Sequence, residues 1–331
     1  MSTRPSAHRS YDRIGSLEAR DALDAHYDGT QGVYKLWASP RSVFSAVACG
    51  WKDSDHPAQL HYGWDLERAA SLDTAIRDAT RRVFDALTEN GTRTLDHVLE
   101  PGCGIGGAVT QLASAEPRVR FHGVSVVQRQ MRIAMARAAA RGLGNVSFTR
   151  ASYMCLPFAD DTFDGIYAIE SLCYCPVPDR GLLLRELCRV LRPGALAVVL
   201  DGYAHRPPAT GREERILRDV LDGWTLPPPG PPDAFTADGM TAGFQVRRVE
   251  DVTAHILTSA RRIRDIGRWG LTPLAALSSL PGMSALLAPI GFASPVGASR
   301  FAAACRSQWT LFRLGLGGYW MHVFRKPDVI R

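Results

Sequence analysis

The 331-residue sequence predicts an α/β fold, a parallel sheet wrapped on both faces by helices. Three observations carry this expectation. Residues 93–203 alternate short, β-branched apolar runs with segments whose apolar positions recur at helical spacing. A glycine-rich turn stands between the first of those runs and the first helical segment, where a parallel α/β sheet admits a ligand to its backbone. Hydrophobic residues make up 46% of the chain and charged residues 22%, ordinary globular values that rule out a disordered chain.

Taken in order, residues 1–92 hold mainly helical stretches and an aromatic segment from Tyr27 to Trp64. The strand candidates are HVLE (97–100), RFHGV (120–124), VSFT (146–149), FDGIYAIE (163–170) and ALAVVLD (195–201). Between them AVTQLASA (108–115), QRQMRIAMARAAARGL (128–143) and GLLLRELCRVL (181–191) read as helices. A helix follows at 211–224, then the proline-rich LPPPGPPD (226–233), a loop or rigid connector. GFQVRRVEDVTAHI (243–256) and GYWMHVFRKP (318–327) read as two further strands. From Trp269 to Ser299 no residue is charged, long enough in principle to span a bilayer, but Pro273, Pro281, Pro289 and Pro295 interrupt it. The expectation there is broken helices, packed on the body or covering an apolar pocket, and no stable membrane span.

The net charge of +6 is a small excess, almost all arginine and scattered, without the basic runs of a nucleic-acid binder. An anionic small substrate or a merely solvated surface accounts for it better. Seven cysteines show no C-x-x-C, and Cys173-x-Cys175 is too close for a two-ligand zinc loop, so no metal site is expected. Free cysteines in apolar segments fit a reducing, cytoplasmic setting, and the first twenty residues lack the apolar core of a signal peptide.

Directly after HVLE comes Glu100-Pro101-Gly102-Cys103-Gly104-Ile105-Gly106-Gly107. A dinucleotide site would want G-x-G-x-x-G, and the third glycine is off that spacing. The pattern E-x-G-x-G-x-G instead resembles the first motif of class I S-adenosylmethionine-dependent methyltransferases. FADDTFDGIYAIE and RELCRVLRPGALAVV resemble that superfamily's fourth and fifth strand regions, in order. The resemblance implies a Rossmann-like sheet bearing S-adenosylmethionine over 93–203. A helical N-terminal cap (1–92) would contribute to both pockets. Residues 204–331 would form a substrate-covering region with the last strands of the sheet. Glu100, Gly102, Gly104 and Gly106 would then contact the cofactor. The second strand ends GVSVVQRQ, without the acidic residue many members carry there. It is similar to a subgroup with G-[VI]-T-[LI]-S-x-x-Q, which nominates Ser125 and, as ribose partner, Gln128. Ser152 replaces an aspartate common near adenine, and Tyr153 would pack on the purine or fill core. Tyr27 is a further cofactor candidate.

Ala168-Ile169-Glu170-Ser171-Leu172-Cys173-Tyr174-Cys175-Pro176 looks like the A-I-E-x-x-C-H-x-P segment of the C-methyltransferases that act on sterol side chains. It is also similar to that of prenyl diphosphate (terpene) C-methyltransferases. HYDGTQGVYKLWA and LHYGWDL agree with the same group upstream. What this implies is methylation of an isoprenoid double bond, a prenyl diphosphate before a sterol. Such a reaction passes through a carbocation that must be held, stabilised and deprotonated. Glu170, at the end of a parallel strand, is the candidate base, with Tyr62 and His61 beside it; Glu170 could instead hold the cofactor or cap a helix, and His61 could be a buried structural histidine. Tyr34, Trp37 and Tyr174 are candidates for an aromatic wall. Arg261, Arg264 and Arg268 share one face of a predicted helix and would grip a diphosphate, or simply form a solvated basic face. Mg2+ would enter only as the diphosphate counterion. The alternative is an N-, O- or aromatic C-methyltransferase of a small natural product. The expected partner is a small, lipophilic, anionic substrate; assembly into a homo-oligomer is left open.

Overall fold

The computed structural model describes residues 59, 61–89, 94–288 and 294–328. The aromatic candidates Tyr27, Tyr34 and Trp37 lie outside the described residues. Seven strands form one sheet in the order β3-β2-β1-β4-β5-β7-β6. They are β1 (His97–Pro101), β2 (Arg120–Ser125), β3 (Val146–Arg150), β4 (Phe163–Ile169), β5 (Leu191–Ala204), β6 (Gln245–Asp251) and β7 (Gly317–Arg325). The first five pair in parallel, and β7 runs antiparallel between β5 and β6.

Burial on both faces explains why these strands read as continuous apolar runs. Val98 faces one core with Leu196, Val198 and Leu200, while Leu99 faces the other with Ala195, Ala197 and Val199. The first core is covered by α1 (Leu72–Leu87) and α2 (Gly107–Ala115). On the second, α4 (Arg180–Val190) buries Leu183, Leu184 and Leu187. Between those two in sequence, α3 (Gln128–Ala140) joins β2 to β3.

After β5 come α5 (Gly211–Trp224) and α6 (Pro232–Thr241), the latter with proline at its first helical position, where a missing N–H costs nothing. The expected strand over 243–256 ends at Asp251: its carboxylate accepts the Thr253 backbone N–H at 2.9 Å, closing a turn that opens α7 (Thr253–Ile266). Likewise Leu191 opens β5 instead of closing α4.

The uncharged stretch is a series of broken helices. A π-helical turn (Gly267–Leu271) leads into α8 (Thr272–Ser278), α9 (Met283–Leu287) and α10 (Pro295–Arg313). Leu271, Ala275 and Ala298 pack with Leu72 and Ile76 of α1, so this region rests on the body of the molecule. Among the described residues, no helix is long and apolar enough to cross a membrane.

Candidate active site

The principal cavity opens at the C-terminal ends of β1, β4 and β5, where the sheet's loops diverge. Its first wall is the glycine-rich turn. Gly102, Gly104 and Gly106 have φ of 76°, 53° and 77°, conformations that favour glycine. They are needed for different reasons. A Cβ on Gly102 would stand 2.5 Å from Ser171 Cβ, and one on Gly106 would stand 2.8 Å from Ala134 Cβ; one on Gly104 would meet nothing within 4 Å. Packing therefore demands the outer two glycines, whereas Gly104 keeps a cradle open at the cavity wall. The turn is tied down by the N–H groups of Gly102 and Cys103, both donating to the Val124 carbonyl at 2.7 and 2.9 Å.

Glu100 lines the same end of the cavity, where the Tyr167 hydroxyl donates to its Oε2 at 2.9 Å. Burial pushes its carboxyl up to about 8. Gln130, and not Gln128, is the glutamine that lines the cavity. Gln128 is the exposed first residue of α3, and two residues along a helix carry a side chain to the opposite side. The buried Ser125 hydroxyl donates to Gln130 Oε1 at 3.1 Å and accepts from the Val127 N–H, which fixes the glutamine's direction. Ser125 thus stands behind the lining. Neither Ser152, whose hydroxyl accepts from the Met154 N–H at 3.2 Å, nor Tyr153, packed on the second core, is among the lining residues.

The second wall centres on Glu170, which follows β4 with φ of 46°. Its backbone N–H donates to the Leu200 carbonyl at 2.9 Å, anchoring this left-handed residue to β5. Its Oε1 accepts from the Tyr62 backbone N–H at 3.0 Å and from the Tyr319 hydroxyl at 2.8 Å. Burial pushes the carboxyl up to about 8, against the pull of those two donors. Beside it, Asp201 in the last part of β5 accepts from the N–H groups of Leu172, Cys173 and Gly202, pinning the loop that carries Tyr174 into the lining.

Tyr62 bridges two distant parts of the chain. Its hydroxyl donates to Gln308 Oε1 of α10 at 2.7 Å, and its ring meets Tyr319 and Phe312 edge-on at 5.5 and 5.6 Å. His61 also lines the cavity, with Nδ1 3.0 Å from the Tyr62 carbonyl and Nε2 3.0 Å from Thr80 Oγ1. Burial pushes it down to about 4, so the imidazole is neutral and held in place. The remaining wall is apolar: Leu221 and Trp224 of α5, Pro227, Leu311 and Phe312 of α10, and Leu316.

The predicted arginine face lies elsewhere. Arg261 is exposed, Arg264 pairs with Asp265 at 2.6 Å and sits over the Trp309 ring, and Arg268 sits over the Trp269 ring. Ile263 is the α7 residue that reaches the cavity, and the arginines are rotated away from it. Among the described residues, no lysine or arginine lines the cavity, and no group of three His, Cys, Asp or Glu residues could hold a metal ion. Sequence reasoning missed Tyr319, Gln308 and Asp201. Asp201 carried a signal, an acid closing a parallel strand beside the one that ends in Glu170; Tyr319 and Gln308 carried none.

Residues 98–194 match the family model described as a methyltransferase domain. The O-methyltransferase rstn1 of Aspergillus nomiae is 33% identical over 197 residues, covering 58% of this chain and 83% of that protein. Among solved structures, the [4+2]-cyclase SpnF superposes with a TM-score of 0.66 at 23% identity, over 92% of this chain and 95% of its own. Geranyl diphosphate C-methyltransferase of Streptomyces coelicolor does so at 0.61 and 16%, over 87% and 99%. The last two likenesses are of fold.

Proposed function

The chain belongs to the S-adenosylmethionine-dependent methyltransferases, and from that premise we propose that it methylates a double-bond carbon of an uncharged, lipophilic isoprenoid. The observation that carries this reading is the company Glu170 keeps. Its carboxyl accepts from the Tyr319 hydroxyl and the Tyr62 N–H, and the Tyr62 ring meets those of Tyr319 and Phe312, in a cavity whose far wall is apolar.

S-adenosylmethionine, when bound, supplies an electrophilic methyl group. The Gly104 backbone, Glu100 and Gln130 would hold it, since the cradle at Gly104 is open and both side chains face the cavity. In this reading residues 93–203 serve the cofactor, and 204–331 supply the acceptor's walls and the last two strands. His61 and Tyr62 of the N-terminal region close the space between. Trp224, Leu311 and Leu316 would orient the acceptor toward that methyl group and keep water out. The ring faces offset the positive charge that develops on the acceptor by about 0.5–2 kcal/mol each. Glu170 then removes the proton whose loss restores a double bond. A diphosphate acceptor would need cations that the described lining does not contain, which is why the acceptor proposed is uncharged.

A second reading is O-methylation, favoured by the activity named for the Aspergillus relative and by the same carboxyl, which could take a hydroxyl proton. The test is incubation with S-adenosylmethionine and a panel of farnesol, geraniol, their diphosphates, a triterpene alcohol and polyketide phenols, read by mass and NMR. A product 14 Da heavier with a new C-methyl signal, from an uncharged isoprenoid, is expected. Methyl ethers alone would move the assignment to the second reading, and turnover of diphosphates alone would restore a charged head group.

A further inference from the structure

Most of the strongly exposed apolar side chains of the described residues fall within one part of the chain. Trp269, Leu286 and Val296 are 72%, 70% and 64% exposed, and Leu280 is 54% exposed. All four belong to the uncharged stretch, in or beside the π turn, α8, α9 and the start of α10. These segments have already spent their inner sides. Leu271, Ala275, Ala298 and Phe301 are buried with α1, and Leu274 and Leu287 pack against the same cluster. The exposed set therefore projects from helices whose other residues pack on the body of the molecule, and is not a gap in the core.

Within residues 266–327 the charge is of one sign, and acids approach it from α5, packed on α10, where Asp219 accepts from the Ser307 hydroxyl at 2.8 Å. No aspartate or glutamate occurs between Asp265 and Asp328. Arg261, Arg262, Arg268, Arg300 and Arg306 are exposed on α7, the π turn and α10, and no ion pair is formed by any of them among the described residues. Arg268 instead lies over the Trp269 ring at 4.8 Å, and Arg306 donates to the Thr272 hydroxyl at 3.1 Å. Asp265 is occupied by Arg264.

We propose that this side of α7–α10 seats the protein on an anionic lipid bilayer, with Trp269, Leu280, Leu286 and Val296 entering the headgroup boundary and the arginines contacting lipid phosphates. Tryptophan and arginine suit that boundary, because each has an apolar body and a polar end. Basic residues near an anionic leaflet add to the apolar contact. No described helix crosses a membrane, so the contact is peripheral and reversible. The inference is independent of which acceptor is methylated.

The test is flotation of the full-length protein with vesicles of phosphatidylcholine alone, or with about one third phosphatidylglycerol, at low and high salt. Binding to the anionic vesicles that weakens at high salt is expected. Trp269→Glu combined with Leu286→Glu should weaken it at least tenfold, and so should Arg268→Ser combined with Arg300→Ser, by roughly tenfold. Unchanged binding of S-adenosylhomocysteine certifies that each variant is folded. If the glutamate pair does not fold, the serine pair decides. Wild-type protein that ignores anionic vesicles, or folded variants that float as well as wild type, would overturn the proposal. So would a wild-type dimer that ignores vesicles and that the glutamate pair converts to monomer, since the face would then join two copies of this protein.

Discussion

Glu170 combines a left-handed backbone, a carboxyl pushed up to about 8 and two donors on one oxygen. A residue so placed is mostly protonated at neutral pH in the free protein and becomes a base as pH rises. If it removes the proton, kcat/KM should climb with pH through about 8 along a single ionisation, and Glu170→Gln should abolish that limb while lowering kcat by roughly 100-fold or more. Retained S-adenosylhomocysteine binding in the variant separates a lost base from a lost fold. Tyr319→Phe deletes the donor at 2.8 Å that favours the ionised carboxylate. The limb should then move to higher pH, by about one unit, as expected for a hydrogen bond to a charged group. A pH–rate profile that does not move would deny Tyr319 this positioning role.

Within the element that follows β1, the three glycines are not equivalent. The Cβ positions at Gly102 and Gly106 are blocked by Ser171 and Ala134, so substitutions there act on folding. Gly104 faces open space, and a side chain there occupies the cradle instead of disturbing the core. Gly104→Val should therefore weaken S-adenosylhomocysteine binding more than tenfold by calorimetry, while its melting temperature falls only by the modest cost of a left-handed valine, about 1–3 kcal/mol. A variant that binds normally would mean the turn does not hold the cofactor. The same scale explains why Gln130 and not Gln128 reaches the cavity. α3 begins at Gln128, and its rotation puts Gln130 toward the cavity with Ser125 behind it.

For the whole molecule, the buried ionisable groups set opposing pH dependences. Glu100 and Glu170 have folded pKa values raised from 4.5 to about 8, so the folded protein holds protons that the unfolded state has released, and stability falls as pH rises across that window. His61 and His322 are lowered from 6.5 to about 4, so stability rises with pH between about 4 and 6.5. Above 6.5 only the glutamates of these four act. The melting temperature should decline from about pH 6.5 to 8, and Glu100→Gln with Glu170→Gln should flatten that decline in a thermal scan. A melting temperature that rises over this interval would show that neither carboxyl is protonated in the fold.

What could be read in the sequence was what depends on local spacing. The apolar runs of β1 and β5 are legible because both sheet faces are buried, and the turn from Glu100 to Gly107 because a backbone that must bend sharply and admit a ligand can use only glycine at those points. Glu170 was legible as an acid ending a parallel strand. Tertiary structure alone decided which residues share the cavity. Tyr319 meets Glu170 only because β7 runs back antiparallel beside β5, and Gln308 meets Tyr62 across 246 residues of sequence. The arginines of α7 were drawn away from the cavity by a helix rotation that buries Ile256, Ser259, Ala260 and Ile263. Such choices follow from the packing of remote surfaces, a sum of many small contact energies that no single run of residues contains.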